Sequence, residues 1–422
     1  MSRRIYLVTL TASIVFLAIR AILQPENFDF DELAHVHTVT DIMRIGGLPG
    51  PAAFPEIAHA GPGGSYAYHY SPPLPYLAAA ATATLTGRTP ETTDILVFMR
   101  IIAIISATLT LLVVGKAIRW LVTDNRQWEA CTFATAGLTL MPGFHSAAAS
   151  ASPETLMFLA IAGLTAALIY ANQDRWSRPS TLAVGLAAAA IVGTRHVGYP
   201  SLLLIPMTLL GSRLGVRGTV SQAAIVAAVA LGANSWWMIR SFLMFDDPIG
   251  VIAHVEATRA SGHSLVAREN QLWIKYSKSS FPEISLLSST PWAWVQGSRM
   301  LLRITWIAPI ALMGWIAIVV IPTTFQILQW TRIGKKHRPP HEFLLLGALA
   351  APIVAFAIQA SISARFGAFV SGRYEFANLL PLVIVTSGLL ASRHLKNWHY
   401  FRSASLLFAG VVTIVYLAFI LP

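Results

Sequence analysis

Carboxylates and histidines crowd one stretch of an otherwise apolar chain. The carboxylates between Gln24 and Tyr76 include Asp29, Asp31, Glu32, Asp41 and Glu56, and they lie together with His35, His37, His59 and His69. The whole chain holds only 19 acidic residues among 422, and Arg44 is the sole Lys or Arg of this stretch. Carboxylates and imidazoles move protons near neutral pH, so the chemistry these residues suit is general acid–base catalysis. Asp31 and His35 are four apart and share one face of a helix, while Glu32 points to another sector. A carboxylate at a helix start is also a good N-cap, favoured by the helix dipole. For Asp31 the two readings, cap and base, stand side by side. Asp31, Glu32, His35 and His37 include the types of ligand a cation needs. His35 and His37, however, are two apart and fall on different sides of a helix, so no metal is assigned.

These residues need a helix and a return loop to position them. From Asp31 to Ile45 the spacing of Val36, Val39, Ile42 and Met43 predicts one apolar helical face. Gly46-Gly47 ends it and Pro49 follows. The chain then runs through Pro51, Pro55 and Gly61-Pro62-Gly63-Gly64, which is turn-rich backbone. It returns as His69-Tyr70-Ser71-Pro72-Pro73-Leu74-Pro75-Tyr76, where the prolines hold it extended. Tyrosines here suit a membrane interface, or an aromatic wall for a sugar.

The rest of the chain predicts an all-α, polytopic integral membrane protein. It is 55% hydrophobic and 12% charged, with mean hydropathy +0.61, whereas soluble domains carry about 25% charged residues. Apolar runs long enough to span a bilayer fall at 5–23, 93–118, 129–145, 154–171, 180–194, 197–211, 220–239, 304–329, 342–362, 376–391 and 403–421. The pair 180–194 and 197–211 is short. Tyr76–Thr86 is apolar but too short to cross, so it reads as a re-entrant or interfacial helix. About 11 transmembrane helices thus form a single domain over 1–422, with outward loops 24–75 and 240–303. The run after Met1-Ser2-Arg3-Arg4 lacks a small-residue cleavage site and reads as a retained anchor.

Net charge is +11, and most of the excess sits in short loops between spans. That pattern signals topology and contact with anionic membrane lipids rather than nucleic acid. It places the N-terminus in the cytoplasm of a plasma membrane protein and the loop 24–75 outside. The single cysteine, Cys131, excludes an intrachain disulfide and a thiolate metal cluster. Arg195 and His196 interrupt an apolar region, and Arg373 precedes a span. Such charges near membrane depth are candidates for binding an anionic group.

Three segments resemble the GT-C glycosyltransferase superfamily: Phe30-Asp31-Glu32-Leu33-Ala34-His35 after the first span, His69 to Tyr76 before the next, and Ser371-Gly372-Arg373-Tyr374-Glu375-Phe376-Ala377-Asn378-Leu379-Leu380-Pro381 late in the chain. In the second, Tyr70-Ser71 separates the histidine from the prolines, unlike the family pattern. The resemblance implies a hexosyl- or pentosyltransferase of the cell envelope. Its donor would be a sugar on a polyprenyl phosphate and its acceptor a glycan, lipid or protein, with inversion on the outer face. Asp31 would be the general base and Glu32 its alternate, or a residue that orients the acceptor. Asp29, His35, His69, Tyr70, Arg195, His196, Arg373 and Tyr374 would contact substrate. The resemblance requires no cofactor and leaves a divalent cation open. A transporter or flippase of lipid-linked glycans, or a non-catalytic envelope assembly factor, would share the apolar spans. Transporters tend to show duplicated halves, and the sequence shows no internal repeat.

The charge pattern makes a topological prediction. With Cys131 replaced by Ser, a cysteine at Ser65 should react with an impermeant reagent from outside and one at Gly334 should not. The reverse result would overturn this orientation.

Overall fold

The computed structural model describes residues 3–24, 32–50, 69–122, 126–139, 142–253, 342–366 and 373–392. The expected spans at 304–329 and 403–421 lie outside them. The described residues form helices without strands, in the order α1 (Arg3–Leu23), α2 (Glu32–Ile45), α3 (Leu74–Leu85), α4 (Thr92–Leu121), α5 (Gln127–Thr139), α6 (Pro142–Ala149), α7 (Glu154–Gln173) and α8 (Arg178–Thr194). A 3₁₀ helix (His196–Leu203) leads into α9 (Leu204–Leu210), followed by α10 (Val216–Phe245), α11 (Glu342–Phe366) and α12 (Arg373–Ser392). Among the described residues, α1, α4, α7 and α10 are each long and apolar enough to cross a membrane. The helices match most expected spans. The run 129–145 differs, because it divides into α5 and α6.

Helix α7 is the most enclosed of these spans, packed between α4 and α8. Small residues allow the close approach, as they do wherever helices associate without a hydrophobic drive between them. At Gly185 of α8, for example, a methyl group would meet the Val229 side chain of α10 at 2.8 Å. Asn234 adds a polar tie between the same helices, its amide donating to Ala189 O at 3.0 Å and Ala230 O at 2.8 Å. Helix α12 packs against α4, α5, α7 and α11. A cluster of α2, α3 and the start of α4 buries Val36, Val39, Tyr76, Ala83 and Ile95 beside this bundle.

The short pair 180–194 and 197–211 is not a hairpin of two equal spans. Arg195 takes an extended conformation, with φ −165° and ψ 139°, and the chain continues as a tight 3₁₀ helix containing Pro200. Proline has no N–H, so the i→i+3 pattern leaves Val197 O without its donor from residue 200. Asn378 of α12 supplies one: its Nδ2 donates to Val197 O at 2.7 Å, while its Oδ1 accepts from Ser201 Oγ at 2.7 Å. Helix α12 is thereby fastened to the 3₁₀ segment by the amide that completes its backbone pairing.

Replacing Asn378 by Ala should leave that partly buried carbonyl without its side-chain donor. Stability should fall by about 1–3 kcal/mol, the cost of an unpaired buried polar group. Thermal unfolding of the purified variant in detergent measures this, and an unchanged midpoint would contradict the role assigned to the amide.

Candidate active site

Glu32 opens α2 and is wholly buried. Its Oε1 accepts from Arg100 Nε at 2.8 Å and from the backbone N–H of Ala151 at 2.8 Å. Its Oε2 accepts from Arg100 Nη2 at 2.9 Å. Two parallel bonds between a guanidinium and a carboxylate form the most directional of side-chain ion pairs. Arg100 lies on α4, and its Nη1 donates to Ala21 O at 3.2 Å and Gln24 O at 2.8 Å. These carbonyls belong to the end of α1, where the last helical acceptors have no partner within the helix. One ion pair thus joins the end of α1, the start of α2, the body of α4 and the turn between α6 and α7. Removing one member would leave the other charge buried, at a cost of about 3–5 kcal/mol.

The turn at Ala151 serves a second ion pair. Arg195 Nη1 lies 3.1 Å from Glu154 Oε1, and both side chains are buried. Ser152 Oγ donates to Glu154 Oε2 at 2.6 Å and accepts from Glu154 N at 3.3 Å. His196, next along, places Nε2 2.5 Å from Ile249 O. The turn 150–154 therefore connects the Glu32–Arg100 pair to the Arg195–Glu154 pair through the backbone from Ala151 N–H to the Ser152 hydroxyl.

Further along α2, His35 Nδ1 is 2.8 Å from Tyr76 Oη, with the two rings stacked. His69 donates from Nε2 to Asp41 Oδ2 at 3.3 Å, both side chains being buried. Burial lowers the pKa of His37 below the ordinary imidazole value, outweighing Asp41, which pulls the other way. Tyr70 sets its ring edge-on to Phe245 at 4.6 Å. Beyond Phe245 the chain turns at Asp246, φ 54°. The Asp247 carboxylate then accepts from the N–H groups of Ile249, Ile252 and Ala253 at 3.2, 2.6 and 3.1 Å. Gly250, φ +68°, passes against Tyr70 O, where a Cβ would collide with that carbonyl oxygen.

The structure thus gathers Glu32, His35, His69, Tyr70, Arg195 and His196 at the end of the bundle where α1 and α10 finish and α2, α4 and α7 begin. Asp29 and Asp31 lie outside the described residues. Arg373 and Tyr374 begin α12, and their side chains also lie outside. Among the described residues no three His, Cys, Asp or Glu side chains converge on a possible metal position. The sequence reading missed Arg100, although it sits inside the apolar run 93–118 where a charge signals function. It also missed Arg240. That residue donates from Nη2 to Leu48 O at 3.4 Å and Pro49 O at 2.7 Å. Its guanidinium lies 5.8 Å from the Phe245 ring centroid, and its Nη1 is buried without a hydrogen-bond partner. Nothing in the local sequence around Arg240 marks it, since its partners come from residues almost 200 positions earlier.

Neither a protein-family model nor a curated protein matches this sequence. Solved structures do. The crystal structure of ArnT from Cupriavidus metallidurans bound to undecaprenyl phosphate matches 97% of the chain at 15% identity, with a TM-score of 0.57. The oligosaccharyltransferase of Archaeoglobus fulgidus in complex with Zn and sulfate matches 98% at 14% identity, with a TM-score of 0.55. The likeness to the S. cerevisiae protein O-mannosyltransferase Pmt1–Pmt2 complex bound to the sugar donor is partial, with 57% covered, 16% identity and a TM-score of 0.42. The chain spans 63%, 52% and 34% of the lengths of these three proteins. The backbone likeness to the first two shows that the chain shares their fold.

Proposed function

We propose that this protein is an inverting membrane glycosyltransferase. It moves a sugar from a polyprenyl-phosphate donor to a hydroxyl acceptor on the outer face of the plasma membrane. The observation that carries this reading is the buried anchor of Glu32 on Arg100 and Ala151 N–H, at the mouth of a GT-C fold. The buried Glu32 carboxylate accepts three hydrogen bonds from protein donors, so its chemistry is positioning. Asp31 is one peptide bond away, and a fixed Glu32 fixes where the chain can present it.

In the reaction, the acceptor O–H gives its proton to the Asp31 carboxylate as the oxygen attacks the anomeric carbon. The bond from that carbon to the phosphate oxygen breaks on the opposite side of the ring, which inverts the configuration. The polyprenyl phosphate leaves with the electron pair, and its growing negative charge needs fixed cations. Arg240 has an unused donor edge at this end of the bundle, and Arg373 begins α12 nearby in the Gly-Arg-Tyr motif. Arg195, already paired with Glu154, acts on the site by holding the turn 150–154. ArnT is bound to undecaprenyl phosphate in its crystal structure, which supports a lipid phosphate donor here.

Two outcomes test this. Asp31→Asn keeps size and capping ability, so the variant should fold normally while turnover falls about a hundredfold or more, with donor binding retained. Near-full transfer by purified Asp31→Asn, with a panel of polyprenyl-phosphate sugars, would remove Asp31 as the base. Glu32→Gln and Arg100→Gln should instead lower thermal stability by several kcal/mol along with activity. Arg100→Lys should restore little of either, since an ammonium cannot make the bidentate pair. A variant of Glu32 with native stability and no activity would show that its carboxylate meets the substrate directly.

A further inference from the structure

The other end of the bundle holds a separate assembly of charge. Arg119 is 19 residues beyond Arg100 on α4, about 28 Å along the helix axis. Its guanidinium carbon lies 5.4 Å from the centroid of the Trp128 ring at the start of α5. The guanidinium of Arg3, from the first turn of α1, lies 5.9 Å from the same ring. One turn back on α4, Lys116 Nζ is 5.1 Å from the Trp120 ring. Both indoles are braced: Trp128 packs on Tyr6 at 5.6 Å, and Trp120 on Tyr170 at 5.4 Å. Arg119 Nε also donates to Gly115 O at 3.3 Å.

These cations are oriented but not neutralised. An aromatic ring attracts a cation through its quadrupole and carries no counter-charge. Among the described residues no carboxylate forms an ion pair with Arg3, Arg4, Lys116 or Arg119. Two helices, α1 and α4, therefore bring their positive charge onto two fixed rings. A second observation identifies what reaches them. On α4, Ile101, Ile105, Leu109 and Leu112 are all exposed and recur along one face. That apolar stripe runs through the membrane and ends on exposed Lys116. A ligand with an anionic head and a hydrocarbon tail satisfies both features at once.

We propose that this cradle binds one anionic phospholipid. Its phosphate would sit between Arg3, Arg119 and Lys116, and an acyl chain would lie along the α4 stripe. Guanidinium groups suit phosphate oxygens through paired N–H donors. The lipid would then tie α1 to α4 and α5 at the end remote from the anchor. This assignment does not depend on the glycosyltransferase reading.

The test is native mass spectrometry of the delipidated full chain, titrated with phosphatidylglycerol. One saturable adduct is expected, with phosphatidylcholine failing to compete. Arg3→Gln/Arg119→Gln should weaken that adduct at least tenfold, and Lys116→Gln, which leaves the Trp128 contacts intact, roughly fivefold. Arg175→Gln/Arg178→Gln removes the same charge from another exposed turn at this end and should change affinity less than twofold. Equal weakening by that control pair, equal competition by phosphatidylcholine, or unaltered binding in both cradle variants would overturn the proposal. Glycerol 3-phosphate binding as tightly as the lipid would overturn it in favour of a free phosphate ester.

Discussion

A charge is costly in a membrane protein unless a partner of opposite sign and enough hydrogen-bond donors meet it. The Glu32–Arg100 pair meets that demand in full at the oxygens and supplies the arginine with two further acceptors. Because the guanidinium fork is rigid, the pair fixes orientation as well as distance. The consequence is geometric. Helix α2 does not pack on the bundle by apolar contact alone; its first residue is held by α4 and the turn before α7, and the α4 arginine is itself tied to the end of α1. His35, Asp41 and the residues that close on them from the return loop inherit that placement.

The two buried ion pairs share the turn 150–154, and this makes them a unit. Ala151 lends its N–H to one carboxylate, and Ser152 lends its hydroxyl to the other. A shift of this turn would loosen both Glu32 and Arg195. The segment after α10 closes the same end from another direction. Asp247 caps the short segment beyond it, Gly250 lets that segment pass against Tyr70 O, and Arg240 holds Leu48 and Pro49. The polar groups at this end are thus arranged by backbone contacts as much as by side-chain pairs, which is what a site must have if its donors are to stay aimed.

Much of the fold was legible in the sequence because hydropathy and helical period report directly on burial in a bilayer. The runs 93–118, 154–171 and 220–239 correspond to α4, α7 and α10, and the short apolar segment at Tyr76 is α3. The run 129–145 and the pair around Arg195 were less legible. There the breaks depend on local backbone conformation, on Pro200 and on a partner in α12 far along the chain. The candidate site was half legible. An acidic motif at a helix start is visible in one dimension, and so is Arg100 to anyone who treats every charge in an apolar run as paired. That Arg195 meets Glu154, and that Arg240 meets Leu48, are facts of three-dimensional closure that no local spacing encodes.

The amide of Asn378 has a meaning in time. Val197 and Asn378 are separated by 181 positions. At about 5–20 residues per second, a ribosome that has just added Val197 needs roughly 9–36 s to reach the residue that completes its pairing. Throughout that interval the 3₁₀ segment, with Pro200 in it, has a backbone acceptor that its own helix cannot fill. The neighbouring helices can enter the membrane and pack, but this segment reaches its final pairing only when α12 arrives. The late helix, which carries the Gly-Arg-Tyr motif at its start, is therefore also the one that completes this segment's pairing.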